Sequence, residues 1–407
     1  MSRSWSLALV ALLTGCGGPD ALDAWPAALV VRSTSQQTGL IGYPVNDPPA
    51  VRLLDPDGNP IPGAPITFTL TSGGGSVTSN VVTTGSDGVA TLGSWTIAAG
   101  ANGLTASIPA PFRVEPVPFA ANGVVAAYKI DLEFLTAISP SRQAVFDSAA
   151  ARWQRLIYND IPDINFSPPI PPDVCYAGQP AIGGLIDDLR IHVILDSIDG
   201  PGNILGASTP CFIRNTGKLP VHGVMFFDTA DVAVLESEGA FDEVVLHEMA
   251  HVIGFGTIWT PQFLNLLVGG GGSDPAFVGS SALTAFGRVG GAAYSGGAKV
   301  PVENSGPAGT RDHHWRETVF DNELLTGYLN PGANPLSIVT VASMGDEAYL
   351  VNYAAADAYV HTFSVAPLPG APMEAGPTAR IWLGDDILPV PIHTVDSRGR
   401  VTGVYRP

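Results

Sequence analysis

The chain has 407 residues, 45% hydrophobic and 14% charged, with a net charge of −18. That length suits two domains with ample core, and the acidic balance excludes a nucleic-acid partner and a basic membrane-binding face. With 47 glycines, 36 prolines and 3 cysteines, it reads as a turn-rich, β-rich exported protein rather than a helical bundle.

The first residues, "MSRSWSLALVALLTGCGG", place Arg3 before a short apolar run from Trp5 to Leu13. The run is about half of a membrane span, which suits a signal peptide and not a transmembrane helix. Leu13-Thr14-Gly15-Cys16 resembles the bacterial lipobox. The resemblance implies a signal peptide over 1–15, lipidation of Cys16 and a tether over 16–26, with acyl chains as the only membrane contact. Gly17 in place of an aspartate favours the outer membrane in a diderm, so the expectation is a protein anchored at the cell surface or released from it. Cys175 and Cys211 form an even pair in an exported chain and are expected to make a disulfide.

Over residues 27–110, "AVRLLDPDGNPIPGAPITFTLTSGGGSV", "TTGSDGVATLGSWTI" and "GLTASI" are short β-rich runs broken by turn signals, which predicts a β-sandwich. Asp55, Asp57 and Asn59 sit in the first turn. A hairpin turn capped by their side chains accounts for them better than a calcium site. The stretches D-x-D-G-N-P-I-P-G, I-T-F, S-D-G-V-A-T and W-T resemble the bacterial Ig-like domain of intimin and invasin-type proteins, which implies an all-β Ig-like fold for the segment. The Pro-rich residues 111–125 read as a semi-rigid linker.

A strand, "AAYKIDLEFL", opens the next region. In "SPSRQAVFDSAAARWQRLIYND", Ser139 or Ser141 can cap a helix. Val145, Phe146, Ala149, Trp153, Leu156 and Ile157 recur at helical spacing. "DDLRIHVILDSI" and "LPVHGVMFFDTADV" read as strands. A further helix is expected from near Phe241, with Asp242 and Glu243 at its positive end. This order describes an α+β domain over 126–365. Residues 366–407 are Pro-rich and read as a β-rich C-terminal extension, with "ILPVPIHTVDSRGRVTGVY" as a small hairpin.

The chemistry lies in "VVLHEMAHVIGFG", where His247, Glu248 and His251 form H-E-x-x-H. Two histidines one turn apart share a helix face and can reach one zinc ion. Glu248, one residue on from the first, is placed to act as general base on a water molecule. Gly254 can end the helix abruptly and turn the chain back. A catalytic zinc needs a third protein ligand. In many proteins with H-E-x-x-H-x-x-G that ligand lies three residues past the glycine, but here the position is Thr257. His192 and His222 sit inside strand-like runs, and His361 and His393 lie late in the chain. The adjacent pair His313-His314 stands out, and either ring can be the ligand.

"HEMAHVIGFGTIW", an irregular insert, then "HWRETVFDNELLTG" resembles the leishmanolysin family of metzincin peptidases, especially its bacterial members. "PCFIRNTGKLPVHGVMFFDTADV" and "SIVTVASMGDEAYLVNYAAADAY" are similar to the family's flanking segments, so the resemblance covers roughly residues 126–365. It implies one catalytic zinc ion on a metzincin-type fold, with His247, His251 and His314 as ligands. His314 is chosen because the family's third ligand belongs to a His-Trp pair, here with Trp315. Metzincins also place a methionine in a turn under the zinc. Here Leu325 of Glu323-Leu324-Leu325-Thr326 stands there, and Met344 is too far downstream and reads as core. A cysteine switch, used by some relatives for latency, is not expected when Cys16 is lipidated and the other two cysteines are paired.

Peptidases of this class hold an extended peptide on an edge strand. The strand over 221–227 is the candidate edge, with the Gly-rich insert 260–310 forming loops beside the cleft. The implied function is a surface-displayed zinc metalloendopeptidase with extracellular proteins or peptides as substrates. The alternative is a cell-surface adhesion or binding lipoprotein on an inactive peptidase fold, which Leu325 favours weakly and Glu248 opposes. A zinc hydrolase of non-peptide bonds is the third reading.

Overall fold

A computed structural model describes residues 25–359 and 380–406. The expected signal peptide over 1–15 and the lipidation site Cys16 lie outside the described residues. The chain divides into two compact units, up to Val124 and from Val125.

The first unit is all-β. A three-stranded sheet of Ala28–Val31, Ala50–Leu54 and Val89–Thr91 and a five-stranded sheet enclose one core that includes Val51, Leu53, Phe68, Trp95, Leu104 and Phe119. The strand Pro65–Ser72 buries Ile66 and Phe68 and exposes Pro65 and Thr69, the alternation expected when one face of a strand meets a core. Asp55 Oδ1 accepts the backbone N–H groups of Asp57 (2.9 Å) and Asn59 (2.8 Å), so the acidic cluster is a capped turn.

The residues read as a linker, 111–125, instead supply a strand of the five-stranded sheet. Val117–Val124 pairs antiparallel with Gly100–Ser107 and parallel with Gln36–Leu40. Phe119, Ala121 and Gly123 point inward in alternation, a pattern the two nearby prolines masked.

The second unit is built on a six-stranded sheet in the order Ile130–Phe134, Leu189–Asp196, Pro220–Asp228, Gly206–Arg214, Ile392–Val395 and Val401–Tyr405. The first three strands are mutually parallel, and Gly206–Arg214 runs against them. Helix α1 (Pro140–Leu156) starts where the Ser139 side chain accepts the Arg142 N–H, with Pro140 in the first turn. It buries Phe146, Ala149, Trp153 and Leu156, the stripe expected from their spacing. Helix α2 (Thr229–Glu238) leads into helix α3 (Phe241–Ile253). The Trp153 indole N–H bonds the Leu246 carbonyl at 3.1 Å and ties α1 to α3. Cys175 and Cys211 are joined by a disulfide.

Three expectations change here. The strand over 221–227 is not an edge: Pro220–Asp228 lies between Leu189–Asp196 and Gly206–Arg214. Eight of its nine residues are buried, the continuous burial of a central strand rather than the alternation of a half-exposed one. The insert 260–310 is not loop alone. It carries a helix, Ser280–Arg288, whose Ala282, Ala285 and Phe286 are buried at helical spacing, and a small sheet that includes Ala276–Phe277 and Val300–Pro301. The C-terminal residues are not an appendage, because their hairpin completes the main sheet beside Phe212–Arg214.

Glu347 follows the helix Ile338–Asp346 and is fully buried, its Oε1 accepting the Trp259 indole N–H at 2.7 Å. Burial pushes its carboxyl from the ordinary 4.5 up to about 8. A carboxyl whose pKa rises on folding holds its proton in the folded chain after the unfolded chain has lost it. Its contribution is therefore fully present below about pH 4.5 and is lost as pH rises towards about 8. Glu347→Gln should flatten that part of the decline: its urea midpoint relative to the parent should be higher at pH 8 than at pH 5. An unchanged difference between the two would count against a neutral, buried Glu347.

Candidate metal centre

Helix α3 opens with Asp242 and Glu243 in its first turn, and Glu243 accepts the Asn334 side-chain N–H at 2.8 Å. The face turned to the core carries His247, Glu248 and His251, all fully buried. The helix ends at Gly254, whose φ of 137° is a conformation that side chains rarely adopt. Gly256, at φ +76°, allows a close passage: a Cβ there would lie 2.2 Å from the His313 carbonyl oxygen. The returning chain is thereby admitted against the helix end. Thr257 has a different task from metal binding, since its hydroxyl donates to the His251 carbonyl at 2.8 Å and to that of Gly254 at 3.1 Å. It caps carbonyls that the end of the helix leaves unpaired.

His314 arrives on the returning segment. Its carbonyl accepts the Glu303 N–H (2.8 Å), and the next N–H, of Trp315, bonds the Leu325 carbonyl (2.9 Å). The Trp315 ring is fully buried against Phe255, Trp259, Phe277 and Phe320, with its indole N–H on Thr340 Oγ1 at 2.8 Å. A large buried aromatic with its polar edge satisfied is a firm anchor for the residue beside it.

The three imidazoles meet at their Nε2 atoms, which are 3.0 Å apart between His251 and His247 and 3.1 Å in the other two pairs. Each Nδ1 faces a backbone carbonyl: Leu324 for His247 (2.7 Å), Phe255 for His251 (2.9 Å) and Thr310 for His314 (2.9 Å). A carbonyl only accepts, so in each neutral ring Nδ1 holds the proton and Nε2 presents a lone pair. Three lone pairs directed at one point repel one another unless a cation lies between them. Nitrogen donors so close together suit one zinc ion, whose Zn–N bonds are about 2.0–2.1 Å. The carbonyl partners are the outer support that metal-binding histidines ordinarily have.

Two carboxylates complete the site. Glu248 Oε2 accepts the Ser208 hydroxyl at 2.8 Å, while its Oε1 is buried and has no hydrogen-bond partner. Asp386, fully buried, brings Oδ2 to 3.0 Å from His314 Nε2 and 3.3 Å from His247 Nε2. The ligand atoms of His247, His251, His314 and Asp386 all lie within 4.8 Å of one another.

Burial, then the Asp386 charge, raises Glu248 well above the usual carboxyl range. Burial also lowers His247 and, with the other two rings, His251 further. Burial opposes charge on His314 as well, but the Asp386 carboxylate outweighs it and raises that histidine. Burial works to raise Asp386, yet His314, His247 and His251 hold it below the usual carboxylate range.

The structure thus brings together His247, Glu248, His251 and His314. His313 is left out, its Nδ1 turned to the Arg311 carbonyl at 2.8 Å. Leu325 is fully buried in the turn beneath His247, whose Nδ1 partner is the neighbouring Leu324 carbonyl. Glu323 pins that turn by accepting the Leu325 N–H (2.6 Å) and the Ser337 N–H (3.0 Å). Met344 lies in the core, as read. Asp386 was missed. It sits in "WLGDDILP", and neither periodicity nor spacing marks one of those two aspartates as a ligand.

No curated protein matches the chain. Among solved structures, the D0-D1 and D00-D0 domains of intimin match at 17% and 14% identity, each with a TM-score of 0.19. Each match covers 25% of this chain, which spans half the length of those fragments. Residues 184–365, which hold α3, the insert and His314, match the model of the leishmanolysin family, Peptidase_M8, a family of metallopeptidases, so this part of the second unit is similar to leishmanolysin.

Proposed function

We infer that the second unit is a zinc-dependent metalloendopeptidase of metzincin type, acting on extracellular proteins or peptides. The observation that carries this reading is the convergence of three imidazole Nε2 atoms, two of them from the helix that also carries the buried Glu248. His247, His251 and His314 would hold the ion. When bound, zinc supplies the Lewis acidity that polarises a carbonyl and brings the pKa of water towards neutrality.

The chain's own residues do the rest. Ser208 fixes one oxygen of Glu248 and leaves Oε1 open to a proton. Glu248 takes the proton from the attacking water and passes it to the departing amine. Burial raises its pKa, the direction that strengthens a carboxylate as a proton acceptor. Leu325 is apolar and close in volume to methionine, so packing under the ligands can be kept.

The amino-terminal sequence supports display by a lipid on Cys16, with the first unit as a spacer; among the described residues no helix is long and apolar enough to cross a membrane. The reading of a surface binding protein on an inactive peptidase fold draws support from one observation, the carboxylate of Asp386 at the donor triangle.

Three measurements bear on these assignments. Cleavage of casein should be abolished by a chelator and should fall by about 10²–10⁴-fold in Glu248→Ala, the usual worth of a general base. Zinc bound with no cleavage under any condition would favour the binding protein. His314→Ala should lose stoichiometric zinc on dialysis while His313→Ala keeps it; the reverse would overturn the ligand assignment. Cys16→Ser should end incorporation of labelled palmitate in a bacterial host, and continued labelling would refute the anchor.

A further inference from the structure

The segment from Ile381 to Leu388 crosses the site as a strap. At its start, Ile381–Trp382 pairs antiparallel with Tyr328–Leu329, and the Leu383 N–H bonds the Gly327 carbonyl at 3.2 Å. The Gly384 carbonyl accepts the Thr310 hydroxyl at 2.7 Å, and Asp385 Oδ1 accepts the Gly309 N–H. Past the histidines, the strap meets the strand Gly206–Arg214. Ser208 N–H bonds the Asp386 carbonyl at 2.8 Å, and Leu388 N–H bonds the Ser208 carbonyl at 3.2 Å, a parallel bridge at Ile387.

That strand is paired on one side along its length with Pro220–Asp228, and on the other with Ile392–Val395 only at Phe212–Arg214. Its Gly206–Pro210 half is therefore the sheet edge beside Glu248. A peptide substrate would be gripped there by main-chain hydrogen bonds, as extended peptides are on sheet edges. The strap uses the same groups. Asp386 is fully buried, neither of its carboxylate oxygens has a hydrogen-bond partner, and in the neutral rings both histidine nitrogens beside Oδ2 present lone pairs. A buried carboxylate facing lone pairs is costly without a cation between them. Three imidazoles and one carboxylate make the closed four-donor set of a zinc site, whereas a catalytic site keeps one position open.

We propose that this strap occupies the peptide-binding edge of the protein's own active site, with Asp386 as the fourth metal donor, so that the chain is held latent until the strap is displaced. This rests on the zinc peptidase reading and deepens it. It identifies Gly206–Pro210 as the substrate-binding edge and supplies, through an aspartate, a block on the metal. The strap is part of the same chain, so its effective concentration at the metal exceeds that of ordinary competitors.

The test loads the full chain, Asp386→Ala and the near-isosteric Asp386→Asn with cobalt(II), and reads the visible absorption spectrum while acetohydroxamate is titrated in. The parent spectrum should respond weakly. Both variants should show a changed spectrum before titration, bind the hydroxamate at least about tenfold more tightly and lose cobalt faster to a chelator. Casein cleavage should rise by at least about tenfold in the variants. The same spectrum and hydroxamate affinity in all three proteins would overturn the proposal, as would a chain that takes up no cobalt. Changed spectra and tighter hydroxamate binding without any casein cleavage would keep Asp386 as the donor and defeat the peptidase reading instead.

Discussion

Three hydrogen bonds from imidazole Nδ1 groups to backbone carbonyls determine what this centre can be. Those of Leu324, Phe255 and Thr310 each fix a tautomer, and together they turn three lone pairs on one point. The carbonyls come from three separate stretches: the turn pinned by Glu323, the segment just past the end of α3, and the loop before His314. Each stretch has its own local support. Glu323 is fully buried and receives backbone N–H groups, Gly254 lets α3 stop at Ile253, and Trp315 is locked among aromatic rings. Loss of any one support would rotate a ring or free its proton, and the shared focus of the three nitrogens would go with it.

The same focus explains why two carboxylates can be buried here. Glu248 and Asp386 are fully enclosed, and burying a carboxylate is tolerated when it is paired, bonded or neutralised. Glu248 has one oxygen bonded to Ser208, and burial with the Asp386 charge raises its pKa, which favours uptake of a proton. Asp386 has no hydrogen bond to either oxygen and sits against imidazole nitrogens. Two acids on neighbouring elements thus answer the same desolvation in opposite ways. One is set up to carry a proton, and the other to face a positive charge.

Legibility followed sequence distance. His247 and His251 are one helical turn apart, so their spacing alone places both rings on one face, with Glu248 next to the first. His314 lies 63 residues past His251, and only the His-Trp pairing chose it over His313. Asp386 could not be found this way, because it reaches the site through pairing of the C-terminal segment with two other parts of the unit. The strand 220–228 reads as β, but sheet order depends on non-local pairing, so its central place beside 206–214 is not legible in its own residues. The strand 117–124 is hidden for a local reason: prolines spaced along 109–118 precede an inward alternation that begins only at Phe119. In the insert, frequent glycines likewise obscured the spacing of Ala282, Ala285 and Phe286.

Ser208 is where these threads meet. Its hydroxyl holds Glu248 Oε2, while its backbone N–H and carbonyl both point out of the sheet edge and hold the strap. In a strand paired antiparallel with its neighbour, the N–H and C=O of one residue face the same side, so a single residue can grip a passing chain twice. Any extended peptide that replaces the strap at Ser208 is therefore set in register with Glu248 by one side chain and one peptide unit. The strap is held in that register now, with Asp386 at the donor triangle. The edge that would position a substrate bond for attack is the edge that delivers the blocking carboxylate, so occupancy of this short stretch of backbone decides which of the two the site receives.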